Sequence, residues 1–190
     1  MCSPEKVIET ARRMAELELV LGSYGNVSCR RRGQADQIQI LITPAGLDYS
    51  SMEPEDIVLL DPTGRRLTGR REPSSEFRLH LAIYRAREDV RAIVHAHGVH
   101  ALALSLIASE LPPITEEMEH SLGGPVPVAP YAPAGSQELA DQAAEILRKG
   151  GRALILSRHG LVGLGEDLEE ALLICRLVER GARIYLLARR

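Results

Sequence analysis

A chain of 190 residues, 45% hydrophobic and 26% charged, has the size and composition of one globular domain with a core of its own, expected to span residues 1–190. The formal net charge of −3 with histidine neutral gives nucleic-acid binding no electrostatic footing. No apolar run reaches membrane-span length, and residues 1–6 lack the basic-then-apolar pattern of a signal peptide, so a cytoplasmic location is expected.

Cys2, Cys29 and Cys175 are far apart and odd in number; they form neither a zinc-knuckle spacing nor a disulfide framework. The only lysines are Lys6 and Lys149. Schiff-base catalysis needs a desolvated lysine of lowered pKa, and both lie in polar helix ends. An imine mechanism is therefore not expected.

In chain order, Ser3 caps and Pro4 opens an amphipathic helix that the apolar spacing extends to about residue 21, with Gly22 ending it. The turn Ser23-Tyr24-Gly25-Asn26 leads into a short strand. Residues 38–43 and 57–60 are β-forming, separated by Pro44-Ala45-Gly46, and Asp61-Pro62-Thr63-Gly64 has hairpin character. Ser74 or Ser75 caps a helix carrying the apolar stripe Phe77, Leu79, Leu81, Ala82, Ile83 and Ala86. A strand over 92–95 and a helix over 99–107 follow, then the break at Pro112-Pro113 and a short acidic helix over 116–122. Strands are expected at 126–129, 153–156 and 161–164, with a helix from the Ser136 cap to residue 148 and a long one over 168–187.

Strands and helices alternate, but several connections are too short for parallel crossovers, and the glycines make no dinucleotide fingerprint. The expected fold is α/β, with a mixed, mainly antiparallel sheet and helices on its faces.

The chemistry centres on Ile93-Val94-His95-Ala96-His97-Gly98. Side chains of a strand repeat every second residue, so His95 and His97 share a face. A third histidine, His159, also lies between an apolar run and a glycine. Three neutral imidazoles at rigid strand ends suit a catalytic zinc, leaving a position for water or substrate. The competing reading is a pair of histidines hydrogen-bonded at a strand end. His80, His100 and His120 are weaker candidates; His80, four residues after Glu76, and His100, three after His97, fit supporting positions. Glu76 is the carboxylate candidate, though a first-turn acidic residue is also what a helix dipole favours. Ser74 and Ser75 before a helix, with the turns at 23–26 and 43–46, have the donors and small residues of an anion cradle.

Taken together, Gly25-Asn26-Val27-Ser28, Ile42-Thr43-Pro44-Ala45-Gly46, Ser74-Ser75-Glu76, His95-Ala96-His97 and Arg158-His159-Gly160 resemble, in this order, the class II aldolase/adducin family. The resemblance spans nearly the whole chain. It implies a three-layer α/β/α fold and a C4 homotetramer with active sites at subunit interfaces. It further implies one Zn2+ per subunit on His95, His97 and His159, with Glu76 as resting ligand and acid/base. Substrate phosphate would be held by Ser23, Gly25, Asn26, Ala45, Gly46, Ser74 and Ser75.

The implied reaction is aldol cleavage of a phosphorylated (deoxy)ketose, such as fuculose 1-phosphate, to dihydroxyacetone phosphate and an aldehyde through an enediolate. The family also holds a methylthioribulose-phosphate dehydratase, a sugar-phosphate epimerase, sugar-acid decarboxylases and non-enzymatic adducin heads. The intact ligand set speaks against the last, and a metal-dependent hydrolase would leave the anion turns unexplained. Two departures bear on substrate choice. Where members that cleave fuculose phosphate carry a tyrosine proton donor, this chain has Ile114-Thr115-Glu116-Glu117-Met118. Glu116 or Glu117, with Glu117 preferred, is either the second acid/base or a solvated helix-start carboxylate. Nor does a further tyrosine of a C-terminal tail have a counterpart before Arg190.

Overall fold

A computed structural model describes residues 2–33 and 36–189. Met1 and Arg190, the ends of the expected domain, lie outside the described residues, as do Gln34 and Ala35.

Among the described residues nine strands form one sheet: β1 (Asn26–Arg32), β2 (Ile38–Ile42), β3 (Val58–Leu60), β4 (Arg66–Thr68), β5 (Ala92–Ala96), β6 (Glu110–Leu111), β7 (Val126–Ala129), β8 (Ala153–Leu156) and β9 (Gly160–Gly165). Their spatial order is β4-β3-β2-β1-β5-β9-β8-β7-β6. Every neighbouring pair is antiparallel except β7 and β8. That one parallel pair is joined by the helix α5 (Gln137–Arg148), the kind of crossover a parallel connection requires. The expected mixed, mainly antiparallel sheet is thus present.

Helices cover both faces. One layer contains α1 (Pro4–Glu16), α3 (Val99–Leu104), α4 (Glu116–Leu122) and α6 (Leu168–Ala188). The other is α2 (Phe77–Ala86) packed on α5. Alternation along β5 makes the division: Ala92, Val94 and Ala96 point into the first layer and Ile93 into the second. His95 shares the parity of Ile93 and therefore faces the layer that holds α2.

Several element ends differ from the sequence expectation. α1 stops at Glu16, five residues earlier than the apolar spacing suggested. Leu19 N–H closes back on Met14 O at 3.1 Å, and Glu18 takes φ of +56°, so the chain leaves the helix before Gly22. This frees Leu19 O to accept His97 N–H at 2.8 Å, fixing the backbone of a site residue. The helix α2 begins at Phe77, with Glu76 at its cap position, rather than directly after a serine. The helix α3 ends at Leu104, three residues short of the expected end. The strands β4 and β6 were not anticipated; they are three and two residues long, and β4 is exposed throughout, so neither has a hydrophobic pattern to read.

Cys2 and Cys29 are joined by a disulfide, contrary to the expectation that the cysteines form no such link. The 27-residue separation hid it: α1 folds back and sets the N-terminus against β1. Cys175 is free and buried in α6, as expected. Lys6 and Lys149 are both exposed, in keeping with the exclusion of imine chemistry.

Candidate metal centre

Antiparallel pairing brings the site together at one end of the central strands β1, β5 and β9. Asn26, the first residue of β1, pairs with His95 near the end of β5. Leu161, the second residue of β9, pairs with Ala96. His97 follows β5 directly and His159 precedes β9 directly. Two close approaches hold these ends. Gly25 has φ of +129°, and a Cβ there would lie 2.8 Å from His95 O. A Cβ on Gly160 would lie 2.3 Å from Ala96 O. Neither position has room for a side chain.

The ligand atoms of Glu76, His95, His97 and His159 all lie within 4.8 Å of one another. Glu76 Oε2 is 2.7 Å from His95 Nε2, and Glu76 Oε1 is 3.4 Å from His159 Nε2. His95 Nε2 and His97 Nε2 are 3.0 Å apart. Donors bound at zinc distances in a tetrahedron stand about 3.3 Å from each other, so these separations fit a shared divalent cation. His95 is fully buried, and its Nδ1–H donates to Leu161 O at 3.0 Å, which leaves the Nε2 lone pair aimed inward.

The close packing of these groups sets their charges. Burial pushes the Glu76 carboxyl up, but the paired His95 and His159 rings outweigh it and hold the group well below the usual carboxylate range. Burial also disfavours protonated His95, yet the adjacent Glu76 carboxylate reverses this and raises its pKa. Burial, together with His95 and His159, pushes His97 down to about 3, which leaves an imidazole lone pair free at neutral pH.

The expected anion-binding segments lie beside this cluster. Ser74 N–H donates to Thr43 O and Ala45 N–H to Glu72 O, both at 3.0 Å, with a bridge between Pro44 and Pro73. Ala45, Gly46 and Ser75 are exposed, while Ser74 is buried and its Oγ accepts Glu76 N–H at 3.3 Å. The Tyr49 hydroxyl donates to Gly25 O at 2.6 Å and also reaches Ser23 O at 3.3 Å, securing the turn before β1. Asn26 is buried, with Nδ2 at 3.5 Å from Glu76 Oε2.

Other candidates lie elsewhere. His100 pairs with Glu179 of α6, whose carboxylate also accepts the His100 and Ala101 backbone N–H groups at the start of α3. His120 is exposed and bonded to Glu116 O. Glu116 and Glu117 are exposed at the start of α4 and are not members of the four-residue cluster.

Sequence reasoning did not anticipate the polar ladder behind Glu76. Asn26, Ser28 and Arg30 repeat every second residue on β1, and Glu76, His80 and Tyr84 every fourth on α2. Two strand residues rise about 6.6 Å and four helical residues 6.0 Å, so the rows stay in step. His80 Nε2 meets Asn26 Oδ1, Ser28 Oγ lies 2.6 Å from His80 Nδ1 and 2.9 Å from the Tyr84 hydroxyl, and the Arg30 guanidinium lies over the Tyr84 ring. Gly135 was also missed; its N–H donates to Glu76 Oε1 at 3.3 Å.

Comparison with known proteins agrees with this geometry. The family model described as the class II aldolase and adducin N-terminal domain matches residues 5–186. The L-fuculose phosphate aldolase of Escherichia coli K12 is 38% identical over 181 residues, covering 95% of this chain and 81% of the relative. The 5-deoxy-D-ribulose 1-phosphate aldolase of Bacillus thuringiensis serovar kurstaki is 35% identical over 182 residues, covering 95% and 83%. A solved L-fuculose 1-phosphate aldolase superposes with a TM-score of 0.90 at 36% identity, covering 98% of this chain and 85% of that one. With its three-layer fold and intact ligand cluster, the chain belongs to the class II aldolase and adducin family.

Proposed function

We propose that this protein is a zinc-dependent aldolase that cleaves a phosphorylated ketose, of which fuculose 1-phosphate is the first candidate, to dihydroxyacetone phosphate and an aldehyde. The observation that carries the reading is the position of Glu76, a carboxylate with one oxygen on His95 and the other toward His159, beside the turns at 43–46 and 74–75.

His95, His97 and His159 would hold the cation, and three imidazoles with a carboxylate are a donor set that suits zinc. Bound there, it supplies Lewis acidity toward the substrate's carbonyl and neighbouring hydroxyl oxygens. Glu76 gives up its resting place to those oxygens and becomes free to carry a proton. As the C3–C4 bond breaks, the C4 hydroxyl proton leaves to a base and the electron pair remains on C3. Glu76, which takes up a proton from solvent once displaced, delivers it to C3, and the base returns the C4 hydroxyl proton to solvent. Backbone, hydroxyl and amide donors at Ser23, Gly25, Asn26, Gly46, Ser74 and Ser75 would take the phosphate, with Ala45 shaping the turn beside it, and fix which carbon faces the carboxylate.

Glu117 is our candidate for the second acid/base. Its carboxyl is held below the usual range by the Thr115 hydroxyl, and it stands on the surface at the first turn of α4. It would therefore serve the site of a neighbouring subunit in a homotetramer. Exposed Leu21 and Tyr24 before β1 and Val99 after β5, at the site end of these strands, support a subunit contact there. A cytoplasmic location completes the reading; among the described residues no helix is long and apolar enough to cross a membrane.

The test is product identification with purified protein. Fuculose 1-phosphate and 5-deoxyribulose 1-phosphate are supplied in turn, and dihydroxyacetone phosphate is measured by enzymatic reduction. Release from either substrate, abolished by a chelator and restored by zinc, is expected. Loss of water or CO2 from a sugar substrate in its place would assign the site to a dehydratase or a decarboxylase.

A further inference from the structure

The hydrogen-bond ladder behind Glu76 has a direction that can be worked out atom by atom. An ionised carboxylate only accepts, so the Asn26 group facing Glu76 Oε2 must be the Nδ2 amide. The opposite end of that amide, Oδ1, also only accepts, so His80 Nε2 must carry a proton. The His80 ring is completely buried, and burial pushes its pKa down to about 3, which leaves it neutral. A neutral ring protonated at Nε2 has an accepting Nδ1, and Ser28 must give it the hydroxyl proton. Ser28 has no second proton, so the buried Tyr84 hydroxyl must donate to Ser28 Oγ. Every donor therefore points the same way: Tyr84 to Ser28, Ser28 to His80, His80 to Asn26, and Asn26 to Glu76.

We infer that His80 is a positioning residue, whose Nε2–H holds the Asn26 amide so that its N–H face, and not its oxygen, meets Glu76 and the substrate anion. The inference rests on the aldolase reading for its kinetic consequence and on the hydrogen-bond geometry of the buried ladder for its tautomer. Without the His80 donor, Asn26 is free to turn over. Its oxygen would then oppose both the Glu76 carboxylate and a phosphate, an unfavourable contact in a buried setting.

Gln and Asn substitutions separate this role from simple space filling. A Gln side chain can place an amide N–H near the position of the histidine Nε2, whereas Asn reaches only toward Nδ1 and Ser28. His80→Gln is expected to keep kcat/KM within about threefold of wild type, and His80→Asn to lower it by about tenfold or more, mostly through KM. Melting curves of both variants confirm that each is folded. In parallel, nitrogen NMR of the zinc-loaded wild-type protein, labelled at histidine, reads the tautomer of His80 directly.

An Nε2–H tautomer together with rescue by Gln and not by Asn is the expected result. An Nδ1–H tautomer, or equal impairment of the two variants, would overturn the inference. Wild-type protein that cleaves no sugar phosphate would count against the aldolase reading, and the tautomer would then decide this inference alone. Should His80→Asn fail to fold, the tautomer and the Gln variant still decide it.

Discussion

Glu76 Oε2 lies 2.7 Å from His95 Nε2, with the histidine fully buried and the carboxylate nearly so. The two groups come from the cap position of α2 and the last residues of β5, and no solvent layer separates them. In the proposed reaction this carboxylate is the proton carrier that a substrate oxygen displaces. Glu76→Gln keeps the shape and an oxygen donor but cannot take a proton. It is expected to lower kcat by roughly a hundred- to ten-thousand-fold, the range for loss of a general acid/base. Zinc content measured on the same sample should stay above half of wild type, because the three imidazoles remain. Full cleavage activity in that variant would remove Glu76 from the proton-transfer role.

The buried His80 gives the fold an acid sensitivity whose sign is fixed. Its pKa falls from 6.5 to about 3 on folding, chiefly through burial, with the Glu76 carboxylate opposing and His95 adding to the effect. Between those values the unfolded chain binds a proton that the folded one refuses. Stability contributed here is complete above pH 6.5 and falls as the pH drops toward 3, at roughly 1.4 kcal/mol per pH unit. Urea titrations of metal-free wild type and His80→Gln between pH 7 and pH 4 check this. The wild-type curve should fall more steeply; parallel curves would mean that His80 is protonated in the folded protein.

The disulfide between Cys2 and Cys29 is countable. Denatured, unreduced protein should show a single reactive thiol, Cys175, and reduced protein three. Closing a loop with a sequence separation of 27 removes unfolded-state entropy worth roughly 3 to 4 kcal/mol in the chain-entropy treatment. Cys29→Ala is expected to lose a comparable stability in denaturant titration while keeping the metal cluster, which gathers at the Asn26 end of β1 on the sheet face away from Cys29. Three thiols in the unreduced protein would contradict the cross-link.

The site was legible where chemistry and periodicity coincide. His95 and His97 share a strand face by period alone, and His159 repeats the pattern of an apolar run ending before a glycine. Convergence of the three depends on the order β1-β5-β9, which no local pattern encodes. The end of α1 was misplaced because Leu19 and Val20 continue the apolar spacing, while a tertiary bond from His97 to Leu19 O requires the chain to turn there. The Tyr84–Ser28–His80–Asn26 ladder had a signal, polar residues at i, i+4 and i+8 in an apolar helix. Its partner row on β1 lies fifty residues away for Asn26 and Glu76, beyond any local pattern. The cross-link of Cys2 to Cys29 was hidden for the same reason, since only the packing of α1 brings the two together.

The most direct test is X-ray absorption at the zinc edge of the loaded protein, recorded alone and with a phosphorylated hydroxamate inhibitor. Three imidazole nitrogens should appear in both spectra. The carboxylate oxygen of Glu76 should be replaced by inhibitor oxygens in the second. Fewer than three imidazoles, or an oxygen shell that ignores the inhibitor, would contradict a centre built from His95, His97, His159 and an exchangeable Glu76.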